Sequence, residues 1–434
     1  MKRITALMLM LVFIFSFSVF AEEEVTISYA SWADPEIEEE MVNRFMEEYP
    51  HINVEIDDSI DWPWNESLGA AASAGNLPDV FYVFEIPVSV QNEWVNDISP
   101  YYDADPETDR MYEDMADTAV YDGGRYAVPS FQFPLGVYIN KTLFEEYNIE
   151  IPSYDWTLDD MYNLAIRLTN PADDIFGIQG TNFHEHWPAV NNHDLGWNAY
   201  DGEKFRFTSS EWIDAYNTGR EMRTLGVDAD ALTDEEREEI FGDAGANPFV
   251  EGNVAMNVDY SWFLPTVPEM EEEGAGEIAF YPYPGGEDGQ STYVVTDYIG
   301  MSSVTEHPEE AYKLMKFMTF GETGMMNRMD IYEERGMDLA DWPVANHEEV
   351  WARIEADFDV EGISAVADTL DNTFVDVFKW LPGVDAFHGY AHEEEVWDRL
   401  DEGSINAADL APEMEQRSYE IFQEARQLLQ DALQ

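Results

Sequence analysis

The chain has 434 residues, 91 of them Asp or Glu and 21 Lys or Arg, for a formal net charge of −70 at pH 7. That balance argues against nucleic acid and anionic membrane surfaces as partners, and the acids run along the whole length instead of gathering in a tail. Apolar residues make up 45% and aromatics 14%, enough for a large core, while the absence of cysteine excludes disulfides, thiolate-held metals and thiol nucleophiles.

The first 21 residues have the form of a secretory signal. Lys2 and Arg3 form a basic start, Ile4 to Phe20 is almost wholly apolar, and Val19-Phe20-Ala21 offers small residues at a cleavage site before Glu22-Glu23-Glu24. Cleavage and export are expected. No later segment reaches the ~18 apolar residues of a membrane span. With no cysteine to carry a lipid tether, the exported chain is expected in a periplasm. Its acidic surface reads as halophilic, solvated for high salt, where the Debye length falls to about 3 Å at 1 M.

Val25–Tyr29 alternates as a strand, and a helix follows with Pro35 in its first turn and Ile37, Met41, Val42, Phe45 and Met46 on one face. Residues 52–56 form a second strand, 64–74 a helix closed by Gly75, and 80–84 a third strand. Strand, helix, strand, helix, strand implies a parallel α/β lobe, and a chain of this length is expected to form two lobes. Further on, helices are expected at 157–168, 211–225, 234–241 and 308–320, and strands at 175–179, 254–258, 277–281 and 299–303. Beyond Glu322 the chain reads as mainly helical, ending in one or two amphipathic helices over 407–434.

The run Asp122–Asn148, DGGRYAVPSFQFPLGVYINKTLFEEYN, places a strand ending in Pro, another extended segment and a helix in direct succession. Together with ISYASWADPEIEEEMVNRFMEEYPHINVEI at the start, Ala74-Gly75-Asn76-Leu77-Pro78-Asp79-Val80, Phe249-Val-Glu-Gly-Asn-Val-Ala-Met256 and Pro282-Tyr-Pro-Gly285, it resembles the extracellular solute-binding protein family 1. That family includes the maltose-binding protein. The resemblance extends over roughly 300 residues. It implies a type II periplasmic-binding fold of two α/β lobes, each a sheet flanked by helices, with ligand in the cleft between them. Crossings between lobes are placed near 131–136, 296–298 and 329–336. The lobes are then 22–131 plus 298–332, and 132–297 plus 333–434.

Sugars present apolar C–H faces that suit aromatic rings, and hydroxyls that suit carboxylates and amides. Candidate ligand contacts are therefore Trp32 and Asp34 in the turn after the first strand, and Tyr82, Phe84 and Glu85 at the carboxyl end of the third, where open α/β sheets bind ligands. Asp259 and Trp262 follow the Ala-Met pair, in a stretch where the family commonly sets a Trp against the sugar. Tyr260 stands where Gly is usual there. Trp187, in a loop over 184–188, and Trp380, before Leu381-Pro382, complete the set.

His184-x-His186 with His193 fits no standard zinc spacing. Asp103-x-Asp105-x-Glu107-x-Asp109 lacks the Gly and the closing Glu of a calcium loop. No cofactor is expected, and no phosphate loop or nucleophile elbow is present. The resemblance thus implies a monomeric, non-enzymatic protein that captures a neutral mono- or oligosaccharide and delivers it to the permease of an ABC transporter by hinge closure. An exported carbohydrate-active hydrolase, or the same fold binding a polyamine or other cation, are the alternatives.

Overall fold

The computed structural model describes residues 24–357, 360–370 and 373–434; the predicted signal segment lies outside them. Strands β1 (Val25–Ala30), β2 (Ile52–Ile56) and β3 (Val80–Tyr82) lie parallel in the order β3-β1-β2, joined by helices Pro35–Glu48 and Trp64–Ala74. Both helices carry the expected punctuation. Asp34 Oδ1 accepts the Glu36 and Ile37 N–H groups at 2.9 and 3.1 Å, and Gly75 closes the second helix in the left-handed conformation. Asp79, at the end of the Leu77-Pro78-Asp79 turn, accepts from the Ser28 amide at 2.8 Å and from Thr305 Oγ1 at 2.6 Å, tying β1 to the loop after residue 301.

A small hairpin, β4 (Val120–Tyr121) and β5 (Gly124–Arg125), leads into β6 (Val128–Asn140), whose thirteen residues are all buried. β6 organises the molecule. Its first half pairs antiparallel with β9 (Thr292–Met301) and β10 (Trp342–Pro343), in the sheet that continues through β3 to β1 and β2. Its second half lies between β7 (Met256–Tyr260) and β8 (Ile278–Pro282), antiparallel to both. Gly136 sits at the change-over, where a Cβ would come within 2.7 Å of the Tyr281 carbonyl oxygen. β11 (Thr373–Val375) adds to β9 in parallel. The result is a mixed α/β protein of two lobes, one on each half of β6.

One large core fills the space around β1, β3 and the helices Pro308–Met318 and Glu322–Arg335; a second surrounds β6 to β8. A third, rich in Trp and Phe, lies between helix Ser210–Thr224 and the C-terminal helices. In the first core, Arg328 is 1% exposed and bridges Glu38 and Asp341 at 2.9 Å each.

Two expectations change. Residues 175–179 are not a regular strand but make isolated bridges, Phe176 to Val254 and Gln179 to Asn257, beside β7. Residues 184–188 lie in a helix, Phe183–Asn191, not in a loop, because Phe183 and Trp187 stack one turn apart on its buried face. Residues 329–335 complete the helix Glu322–Arg335, which Gly336 caps, and the chain rejoins β6 a few residues later as β10. The terminal segment is one 26-residue helix, Ala407–Ala432. Among the described residues no helix is long and apolar enough to cross a membrane.

Candidate functional site

A cavity of about 370 Å³ opens where β3, β7, β9 and the segment after β11 converge. That is near the lower end of the roughly 300–1,000 Å³ usual for small-molecule sites. From the β3 side come Phe84, 37% exposed, and Glu85. Trp64 fixes this edge from below, donating its Nε1–H to the Tyr82 carbonyl at 2.8 Å, and Asn65 Nδ2 donates to Glu85 Oε2 at 2.6 Å. Burial, and next the charge of Asp385, push the Glu85 carboxyl up to about 7 against that hydrogen bond.

The opposite wall is aromatic. Trp197 lies parallel to Tyr260 with ring centroids 6.3 Å apart, and Tyr260 packs on Trp262 at 4.4 Å. Trp262 stays 43% exposed and also meets Phe133 of β6 at 5.7 Å. Tyr260 is anchored from behind by its hydroxyl, 3.0 Å from His186 Nε2. Burial, followed by His184, drives the His186 imidazole down to about 3, so it is neutral at physiological pH. Glu185, on the same helix, is pushed up to about 7 by burial.

The back of the cavity belongs to Val295 of β9 and to Asp376, Phe378 and Lys379 after β11; Asp385 and His388 of helix Val384–Glu393 close one side. Lys379 Nζ lies 2.8 Å from Asp297 Oδ1 and donates to the Thr296 carbonyl at 3.1 Å. Burial opposes its charge, but Asp297 and then Asp376 outweigh that, and the ammonium is held above the usual lysine range. Asp376 is 2% exposed, and burial raises its carboxyl to about 6 although Lys379 pulls the other way. Among the described residues neither Asp376 Oδ1 nor Trp197 Nε1 has a hydrogen-bond partner.

Phe84, Glu85 and Trp262 are thus in the wall itself. Trp32 stands one layer behind, packed on Tyr82 at 4.8 Å and Phe84 at 6.2 Å, with its Nε1–H directed to Asp297 Oδ2 at 3.2 Å. Tyr82 is buried beneath it. Asp34 is spent as a helix cap. Asp259 borders the wall, accepting the Tyr260 amide at 2.8 Å, and burial lifts it to about 6. Trp187 is stacked on Phe183 at 4.2 Å within the second core. Trp380 holds the Asp376–Lys379 turn in place: its Nε1–H goes to the Asp376 carbonyl, and its own carbonyl accepts from Tyr121 at 2.6 Å.

Residue-by-residue reading missed Glu185, Trp197, Asp376, Phe378, Lys379, Asp385 and His388. Trp380 pointed to the correct segment, and a signal was present in the mixture of Asp, Phe, Lys and His around it. Among the described residues no group of three His, Cys, Asp or Glu side chains is placed to hold a metal ion.

Two lobes meeting at an aromatic, carboxylate-bearing cavity define a ligand-binding protein of the periplasmic-binding fold. The chain belongs to the bacterial extracellular solute-binding proteins, whose family model matches residues 29–323. It is similar to the multiple sugar-binding protein of Streptococcus mutans, at 24% identity over 69% of this chain and 72% of that one. In fold it matches an ABC substrate-binding protein from Listeria monocytogenes in complex with cycloalternan, with a TM-score of 0.73, 20% identity, and coverage of 92% of this chain and 99% of that one. The sugar-binding protein MalE from Xanthomonas citri gives a TM-score of 0.71 at 17% identity, over 93% and 99% of the two chains.

Proposed function

We propose that the protein is exported, that it captures a neutral mono- or oligosaccharide between its lobes, and that it delivers this cargo to the permease of an ABC importer without chemical change. The observation that carries the reading is that the Trp197–Tyr260–Trp262 stack lines one cavity together with Glu85, Glu185 and Asp376. Flat rings match the C–H face of a pyranose, and fixed acceptors match its hydroxyls. Lys379 is already committed to Asp297, so the cavity offers little to a phosphorylated or carboxylated sugar. The relatives named for sugars support the same class.

In this reading Phe84, Glu85 and Trp262 are wall residues, Trp32, Tyr82, Asp259 and Trp380 support the wall, and Asp34 and Trp187 serve a helix cap and the second core. The lobes are proposed as 22–131 plus 298–332 and 132–297 plus 333–434. A ligand touching both lobes favours the closed form by its extra contacts there, and closure marks the protein as loaded. Cleavage after Ala21, a periplasmic location, a monomeric state and a requirement for salt complete the proposal.

A second reading keeps the fold and changes the cargo to a polyamine. The four carboxylates of the lining, Glu85, Glu185, Asp376 and Asp385, favour it.

Thermal unfolding of residues 22–434 in molar salt against monosaccharides, oligosaccharides, polyamines and amino acids tests both. A ligand at 100 times its dissociation constant adds about 2.7 kcal/mol, a readable shift. Stabilisation by sugars is expected; a polyamine hit with a flat sugar panel would replace the first reading with the second.

A further inference from the structure

We propose that the binding site continues past the cleft into an adjoining cavity, and that the cargo is accordingly an oligosaccharide with rings in both chambers. The inference rests on the sugar reading above and adds to it a second subsite and a minimum length of two rings.

The adjoining cavity, of about 240 Å³, shares Glu185, Phe378, Val384 and His388 with the cleft. Beyond that shared boundary its walls are again rings and hydrogen-bonding groups. His184 packs against Trp397 at 5.3 Å and Tyr216 at 5.4 Å. Arg223 donates to Asp401 Oδ1 at 2.9 Å and to Thr181 Oγ1 at 3.1 Å, and the Tyr216 hydroxyl reaches the same Asp401 oxygen at 2.6 Å. Arg223 and Asp401 neutralise each other, so the chamber favours an uncharged polyol over an ion.

Two further features join the chambers. Trp197 walls the cleft, and the next residue, Asn198, walls the adjoining cavity. Asn198 and Ala199 both hold positive φ, +50° and +60°, a conformation that side-chain-bearing residues rarely adopt in succession. The Trp212 indole donates to Asn198 Oδ1 at 3.0 Å and secures the bend. Backbone strain is thus spent where one turn must present a side chain to each chamber. Glu185 stands at the junction. No described residue donates a hydrogen bond to its carboxylate, and the nearest basic group, His186 Nε2 at 3.9 Å, is held neutral by burial. An open acceptor at the boundary is placed for hydroxyls flanking a glycosidic linkage.

The test is calorimetric titration of residues 22–434 in molar salt with glucose, xylose and galactose, and with maltose, cellobiose, xylobiose, lactose and maltotriose. At least one disaccharide is expected to bind about tenfold or more tighter than its constituent monosaccharide. Trp397→Ala should narrow that advantage to within about threefold. Asn182→Trp should do the same by filling the chamber from an exposed position where folding is not at risk. A monosaccharide that binds as tightly as its disaccharides, or an advantage that survives both variants, would overturn the second subsite while leaving sugar binding intact. Failure of every sugar to bind would instead remove the sugar reading, and this inference with it.

Discussion

Lys379 gives the sharpest check on how the cleft is held together. Lys379→Met keeps most of the buried stem and removes an ammonium that lies 2.8 Å from Asp297 Oδ1 and 3.1 Å from the Thr296 carbonyl. Removing one partner of a buried pair costs about 3–5 kcal/mol, because the remaining charge is left without compensation. Asp297 retains the Trp32 indole at 3.2 Å, which places the loss toward the lower end of that range. Asp376 also loses the charge that opposes its burial, so its carboxyl, already at about 6, moves higher. A carboxyl with a folded value above its unfolded one, about 3.9, binds protons on folding; its penalty is full at high pH and is relieved as pH falls through the folded value. Urea unfolding in molar salt should therefore show a deficit of about 3–5 kcal/mol at pH 8 and a smaller one at pH 5. Adding Asp376→Asn to Lys379→Met should recover part of the loss at pH 8. A deficit under about 0.5 kcal/mol at pH 8, the scale of an ordinary surface change, or one that grows on acidification, would refute the reasoning.

Trp262→Ala should weaken sugar binding about tenfold or more with little change in the unfolding temperature of the empty protein, since the ring is 43% exposed; calorimetry and thermal unfolding read the two effects separately. Glu85→Gln should flatten the pH dependence of stability, because the wild-type carboxyl, at about 7, relieves its penalty as pH drops from about 8 towards 4.5; melts across that window would show it. Arg328→Met leaves Glu38 and Asp341 buried without their cation and should cost about 3–5 kcal/mol in urea unfolding. Raising sodium chloride from 0.1 to 2 M should stabilise the chain by screening its net charge of −70, and a melting temperature indifferent to salt would count against that.

The β1–β3 lobe was readable because each local signal agrees with the next: alternation in 25–29, a Pro35 start, the Gly75 stop. Phe84 and Glu85 followed from the rule that ligands gather at the carboxyl ends of strands, and Trp262 from the family resemblance. Asp34 shows the limit of such reading. An Asp directly before Pro35 is a helix-capping signature, and that local role accounts for its carboxylate. Trp187 is a candidate by analogy with the family's aromatic positions, yet Phe183 and Trp187 at helical spacing describe a buried helix face. Trp197, Glu185 and the residues from Asp376 to His388 lie up to about 200 positions apart along the chain, and only the tertiary fold brings them together. Tyr260 was noticed as a departure from the family pattern; in the structure it is the middle layer of the aromatic wall.

Small-angle scattering of residues 22–434 in molar salt, with and without the sugar that raises the melting temperature most, tests the central claim directly. A protein that closes on its cargo should become more compact on saturation, with a lower radius of gyration, and Trp262→Ala should need more sugar to reach the same state. A scattering curve unchanged at saturating sugar would contradict capture by closure of the two lobes.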